Sequence, residues 1–200
     1  MPSTVRALFH AAGLAPEGPV SFGEAARSTK AGVYVVSDTK SPDELPRDRE
    51  PQISTVSLAA WRQRCPRMTL RESGRRPTVH DLRVILESWW LNDEPVLYIG
   101  QKKDQLDRRT RAFARTPIGA ARPHRGGFWL KTLEQQLYLF WCETETHEAA
   151  EVTMVEAFAG SASMASKRQL PNAEFAIPWA NLMWPPRGPR KPHDLKRQTC

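Results

Sequence analysis

VLYIGQ, residues 96–101, sets four apolar residues before a glycine and leads almost directly into QLDRRTRAFAR, residues 105–115, a segment dense in arginine. A short β-branched and aromatic run bounded by turn residues reads as a buried strand. The run behind it has helical spacing, with Leu106, Arg109 and Phe113 on one face. A strand that feeds a basic helix through a glycine has two readings. It is a core strand followed by a solvated helix, or it is a phosphate site.

Working outward, GVYVV (32–36) and QQLYLFWC (135–142) have the same buried-strand character. Helices are expected at 4–14, 79–91, 104–115 and 147–160. Thr78, three residues before Asp81, supplies a capping arrangement for the second of these. Residues 37–52 are polar, contain three prolines and read as a surface loop. ISTVSLAAWRQRC (53–65) mixes a β-like start with a helix. Three strands among several helices predict an α+β fold with a small, mostly antiparallel three-stranded sheet. The expected organisation is an N-terminal helical extension (1–30), a core domain (31–182) with a helical and loop insert at 37–94, and a basic, proline-rich arm (183–200).

Two hundred residues, 40% hydrophobic with seven tryptophans, describe a globular chain. A net charge of +7 favours a polyanionic partner, nucleic acid first. Three widely spaced cysteines, Cys65, Cys142 and Cys200, argue against a disulfide framework or zinc knuckle and fit a reducing cytoplasm. No apolar run approaches the roughly 20 residues of a membrane helix.

Glu151 stands out among the polar residues. On a helical wheel it shares a face with Met154, Val155 and Phe158. A carboxylate there is costly unless it is paired or holds a cation. Arg109 likewise points inward. The two are either a structural ion pair or a phosphate clamp beside a metal ligand. Tyr34 and Tyr98 each sit inside a strand, and if the strands pair, both hydroxyls reach one face. His124 lies in PHRGG, whose glycines allow close approach to an anion, although two glycines also simply make a turn. His10, His80, His147 and His193 have no ligand spacing to one another.

GVY at 32–34 and YIG at 98–100, followed by Arg109, Glu151 in EVTMV and Asn181 in PWANL, resemble the GIY-YIG nuclease superfamily. PHRGGFWLKTL and IPWANL…RKPHDL are similar to stand-alone bacterial members. The two tyrosines are more than sixty positions apart, where the family usually joins them by a short hairpin loop. The resemblance implies a metal-dependent endonuclease acting on DNA with one Mg²⁺ (or Mn²⁺) on Glu151. Tyr34, Tyr98, Arg109, His124 and Asn181 would complete the site. Arg109 would stabilise charge on the scissile phosphate, a tyrosine would activate the water, and Asn181 would orient the tyrosine, the water or a nearby loop. A tyrosine of ordinary pKa near 10 is a poor base, so positive charge from Lys102, Lys103 or Arg109 is needed to lower it.

DNA-backbone contacts are expected from Lys102, Lys103, Arg108, Arg125, Arg187, Arg190 and Lys191. No element spells a base-reading code. One site per chain implies nicking, or a homodimer for double-strand breaks. Two other readings remain open: a non-catalytic nucleic-acid-binding module of the same fold, and a structural protein in which Glu151 and Arg109 form an internal salt bridge.

Overall fold

The computed structural model describes residues 3–45, 50–120 and 126–196. A four-stranded antiparallel sheet lies at the centre, in the order β1 (Glu17–Ser21), β4 (Tyr138–Glu143), β2 (Gly32–Ser37), β3 (Val96–Lys102). Six longer helices and one short one surround it: α1 (Val5–Ala11), α2 (Thr55–Arg64), α3 (Val79–Glu87), α4 (Leu106–Arg115), α5 (Gly126–Leu130), α6 (His147–Ser161) and α7 (Met164–Gln169). The α+β class and antiparallel sheet agree with the sequence expectation, but the strands number four. The added strand, EGPVS, contains Gly18 and Pro19 and has no apolar run. Proline is tolerated there because β1 is an edge strand.

All six residues of β2 are buried. That is why GVYVVS reads as one apolar run rather than an alternation. It pairs on one side with β3 and on the other with β4. The long chain between Tyr34 and Tyr98 therefore leaves their strands adjacent. Most of that insert is packed: α2 rests on α3, and Leu58, Trp61, Leu82 and Leu86 join the main core. α3 starts at the expected cap, with Thr78 and Asp81 bonding reciprocally. It ends at Glu87, earlier than the periodicity suggests, and Trp89, Trp90 and Leu91 are buried beyond it.

The C-terminal segment departs further from expectation. It was expected as an extended basic arm, yet as far as Lys196 it is packed against the domain. Met183 bridges Arg190, and Leu195 bridges Leu70 and is itself buried. Cys65 is buried, and Cys142 is free. Among the described residues no helix is long and apolar enough to cross a membrane.

Candidate active site

The antiparallel register sets Tyr34 opposite Gly100, with Tyr98 opposite Val36. Side chains two positions apart on a strand share a face, so Tyr34 and Tyr98 are diagonal neighbours on one face of the sheet. Their ring centroids are 5.8 Å apart. Phe113 of α4 closes over both, with centroids 6.1 Å from Tyr34 and 5.0 Å from Tyr98.

Both glycines of the GVY and YIG stretches are explained by crowding in this region. A Cβ on Gly100 would lie 2.6 Å from the Tyr98 ring and 2.9 Å from the Tyr34 hydroxyl oxygen. One on Gly32 would lie 2.3 Å from the Cys142 carbonyl oxygen and 3.1 Å from Leu106. β3 runs on to Lys102, so Gly100 lies within the strand, where it makes room for two tyrosine rings.

Arg109 follows from the amphipathicity of α4. Leu106, Thr110 and Phe113 are buried, which places Arg109 at the edge of the inward face. Its Nε donates to the Tyr34 hydroxyl oxygen at 3.3 Å. Glu151 occupies the corresponding position on α6, which packs on β2 and β3. Met154, Val155 and Phe158 beside it are buried, and Glu151 is half-buried. Burial raises its carboxyl to about 7, opposed by the charge of Arg109 and reinforced by Glu148. Hydrogen bonding makes no contribution to that shift. Both tyrosines also feel Glu151 and Arg109, so these four residues form one electrostatic cluster.

The tyrosine hydroxyls differ from expectation. Burial raises Tyr34 above the usual phenol range, with Arg109 and the Tyr98 hydroxyl partly opposing it. Tyr98 is raised further, by burial and then by Tyr34. Arg109 supplies the opposing positive charge, and neither Lys102 nor Lys103 contributes. Lys102 instead pairs with Asp104 at 3.0 Å. Of the two phenols, Tyr34 is the one whose oxygen receives donors and whose anion is the less disfavoured.

Asn181 lies at the outer edge of β3, where its carboxamide bonds to backbone. Its Oδ1 accepts from the Ile99 amide at 2.9 Å and its Nδ2 donates to the Ile99 carbonyl at 2.9 Å. Next to it, the Ala180 amide donates to the Leu97 carbonyl at 2.8 Å. Asn181 thus behaves as a one-residue neighbouring strand. Asn181 and Ala180 together hold the backbone on both sides of Tyr98.

Arg108, Lys103, Arg187 and Arg190 are exposed. Lys191 is buried at 2% exposure, so it is withdrawn as a DNA contact. The sequence showed only its basic setting and could not reveal the tryptophans around it. His124 and Arg125 lie outside the described residues. Phe113 was missed as a site residue. Its signal was the spacing of four from Arg109, which puts both on the tyrosine side of α4.

Comparison of the chain with protein-family models, curated proteins and solved structures returned no match.

Proposed function

We propose that this protein is a metal-dependent endonuclease of GIY-YIG type that hydrolyses phosphodiester bonds in DNA. One observation carries the reading: a half-buried carboxylate, raised to about 7 with no hydrogen bond contributing, on the face that holds the Arg109–Tyr34 pair. The field of Arg109 leaves a buried carboxyl in that state short of a full counter-charge. A divalent cation provides one. Glu151 is the carboxylate that would hold the ion; among the described residues no three His, Cys, Asp or Glu side chains gather as a metal site. A single carboxylate suits Mg²⁺, which usually keeps several waters and takes one or two carboxylates. When bound, the cation supplies positive charge to the scissile phosphate and acidity to a water.

The chain's own groups divide the remaining work. Arg109 presents a planar guanidinium suited to phosphate oxygens and stabilises charge that develops on them. Because its Nε is committed to Tyr34, the guanidinium and the phenol are oriented together. Tyr34 rests as a neutral phenol, so its role is to align the attacking water by hydrogen bonding rather than to remove a proton unaided. Tyr98 supports it through the neighbouring hydroxyl. Phe113 covers the rings and keeps solvent from that side.

The test is plasmid cleavage by purified protein with Mg²⁺ and with EDTA, alongside Glu151→Ala. Metal-dependent nicking or linearisation that disappears in the variant supports the proposal. Cleavage that persists in Glu151→Ala removes the carboxylate's role. No cleavage by either protein, with salt-sensitive DNA binding retained, moves the reading to a non-catalytic nucleic-acid-binding module.

A further inference from the structure

Lys191 is a fully buried cation far along the chain from the cluster above. Its Nζ donates to the backbone carbonyls of Trp179 at 2.9 Å and Pro178 at 3.4 Å. It also lies 5.2 Å from the centroid of the Trp89 ring and 5.5 Å from that of Trp129. Trp179 packs on Trp129 with centroids 5.3 Å apart and sends its indole N–H to the Leu86 carbonyl. The ammonium is therefore held by ring faces and carbonyl oxygens. No carboxylate forms an ion pair with it among the described residues.

A buried ammonium is an expensive way to fill a core. An apolar side chain of similar volume would occupy the same space without the desolvation cost. What the ammonium adds is direction: it grips two consecutive carbonyls. The segment so gripped, Pro178–Trp179, runs immediately into Ala180 and Asn181. Those two residues form the bonds that close the outer edge of β3 around Tyr98. The Lys191 amide also donates to the Leu182 carbonyl at 3.0 Å, so Lys191 meets the segment from both sides of Asn181.

We propose that Lys191 is a positioning residue: by clamping the Pro178 and Trp179 carbonyls it sets Asn181 on the Ile99 backbone and so fixes the strand that carries Tyr98. The activity consequence rests on the nuclease reading. The structural consequence does not, and the two are measured separately. Lys191→Met keeps the aliphatic stem and removes the donors. Lys191→Gln keeps a donor on a shorter, neutral side chain.

Backbone amide exchange in the full chain reports the clamp directly, because the Ile99 amide points to the outer edge and depends on Asn181. In Lys191→Met the Ile99 amide is expected to exchange at least ~10-fold faster than in the native protein, with Val35 unchanged at the sheet centre. Cleavage should show kcat lowered ~10-fold at unchanged KM for DNA, because the strand is misaligned while the exposed cations remain. Partial restoration of both readouts in Lys191→Gln would confirm that the donor matters. A folded Lys191→Met variant with native Ile99 exchange overturns the clamp, whatever its activity. Faster exchange with native cleavage overturns the positioning role. Global unfolding of both variants also overturns it, since Lys191 would then be a general core residue. If the native protein cleaves nothing, the nuclease reading fails, while the exchange result still decides the clamp.

Discussion

Like Glu94, the side chains of Glu151 and Lys191 are drawn by burial to about 7, the carboxyl from below and the amine from above. Their surroundings differ. Lys191 is provided for within the chain, by two carbonyl oxygens and two indole faces. Glu151 has the field of Arg109, opposed by Glu148, and no hydrogen bond contributes to its shift. Burial alone therefore does not mark a functional charge. The difference lies in the contacts: the Lys191 donors are placed on carbonyl oxygens of the chain itself, whereas no hydrogen bond contributes at Glu151.

The strongest way to break this comparison is Glu151→Gln. The change keeps the shape and removes the charge. Cleavage should fall at least ~1,000-fold, the scale seen when a main electrostatic group is lost. Stability at pH 8 should rise, by on the order of 2 kcal/mol, because the burial cost disappears. Thermal denaturation at pH 8 beside the cleavage assay checks the opposed signs. A variant both inactive and less stable would mean that Glu151 is a structural partner.

Arg109→Lys comes next. Lysine keeps the charge but loses the planar fork and the Nε bond to Tyr34. Cleavage should fall ~100-fold with folding preserved, as expected when a phosphate clamp loses its geometry. Gly100→Ala tests the crowding beneath the tyrosines. An added methyl would lie within 2.6–2.9 Å of two packed tyrosine side chains, so stability should drop by about 1–3 kcal/mol in chemical denaturation.

The two charges should also write themselves into the pH dependence of stability. The folded carboxyl of Glu151 lies above its ordinary 4.5, so the native state holds more protons between pH 4.5 and 7, and stability falls as pH rises through that window. The folded amine of Lys191 lies below its ordinary 10.5, so the unfolded state holds more protons between pH 7 and 10.5, and stability rises there. Denaturation midpoints from pH 4.5 to 10 should therefore dip near 7. Glu151→Gln should reduce the acid limb, to which Glu94 also contributes, and Lys191→Met the alkaline limb, to which Lys131 also contributes. The smallest effect belongs to an exposed cation. Arg108→Gln should weaken DNA binding uniformly and reduce the salt slope by about 1.

Much of this fold was legible because its central elements carry simple patterns. GVYVV and VLYIG are continuous apolar runs, and Leu106, Arg109 and Phe113 mark one face of a helix. Glu151 was legible as a contradiction, a carboxylate on an apolar face. The edge strand EGPVS was not, since a strand with one neighbour and a proline needs no apolar alternation. Nor was Lys191, whose long apolar stem and caged ammonium look the same in sequence as a solvated basic residue. The phenol acidities were misjudged for a related reason. Nearby positive residues can be counted in a sequence, but desolvation depends on which rings cover the hydroxyls.

The amide of Asn181 has one more effect. An open strand edge is a template on which another polypeptide can add itself. β3 is the last strand on its side of the sheet, and its run of apolar residues would suit such an addition. By spending both hydrogen bonds of Ile99 on one side chain, and that of the Leu97 carbonyl on Ala180, the fold closes the edge through the middle of the strand. Neighbouring copies at high concentration are thereby denied the middle of β3 as a seam, which leaves β1 as the other edge of the sheet.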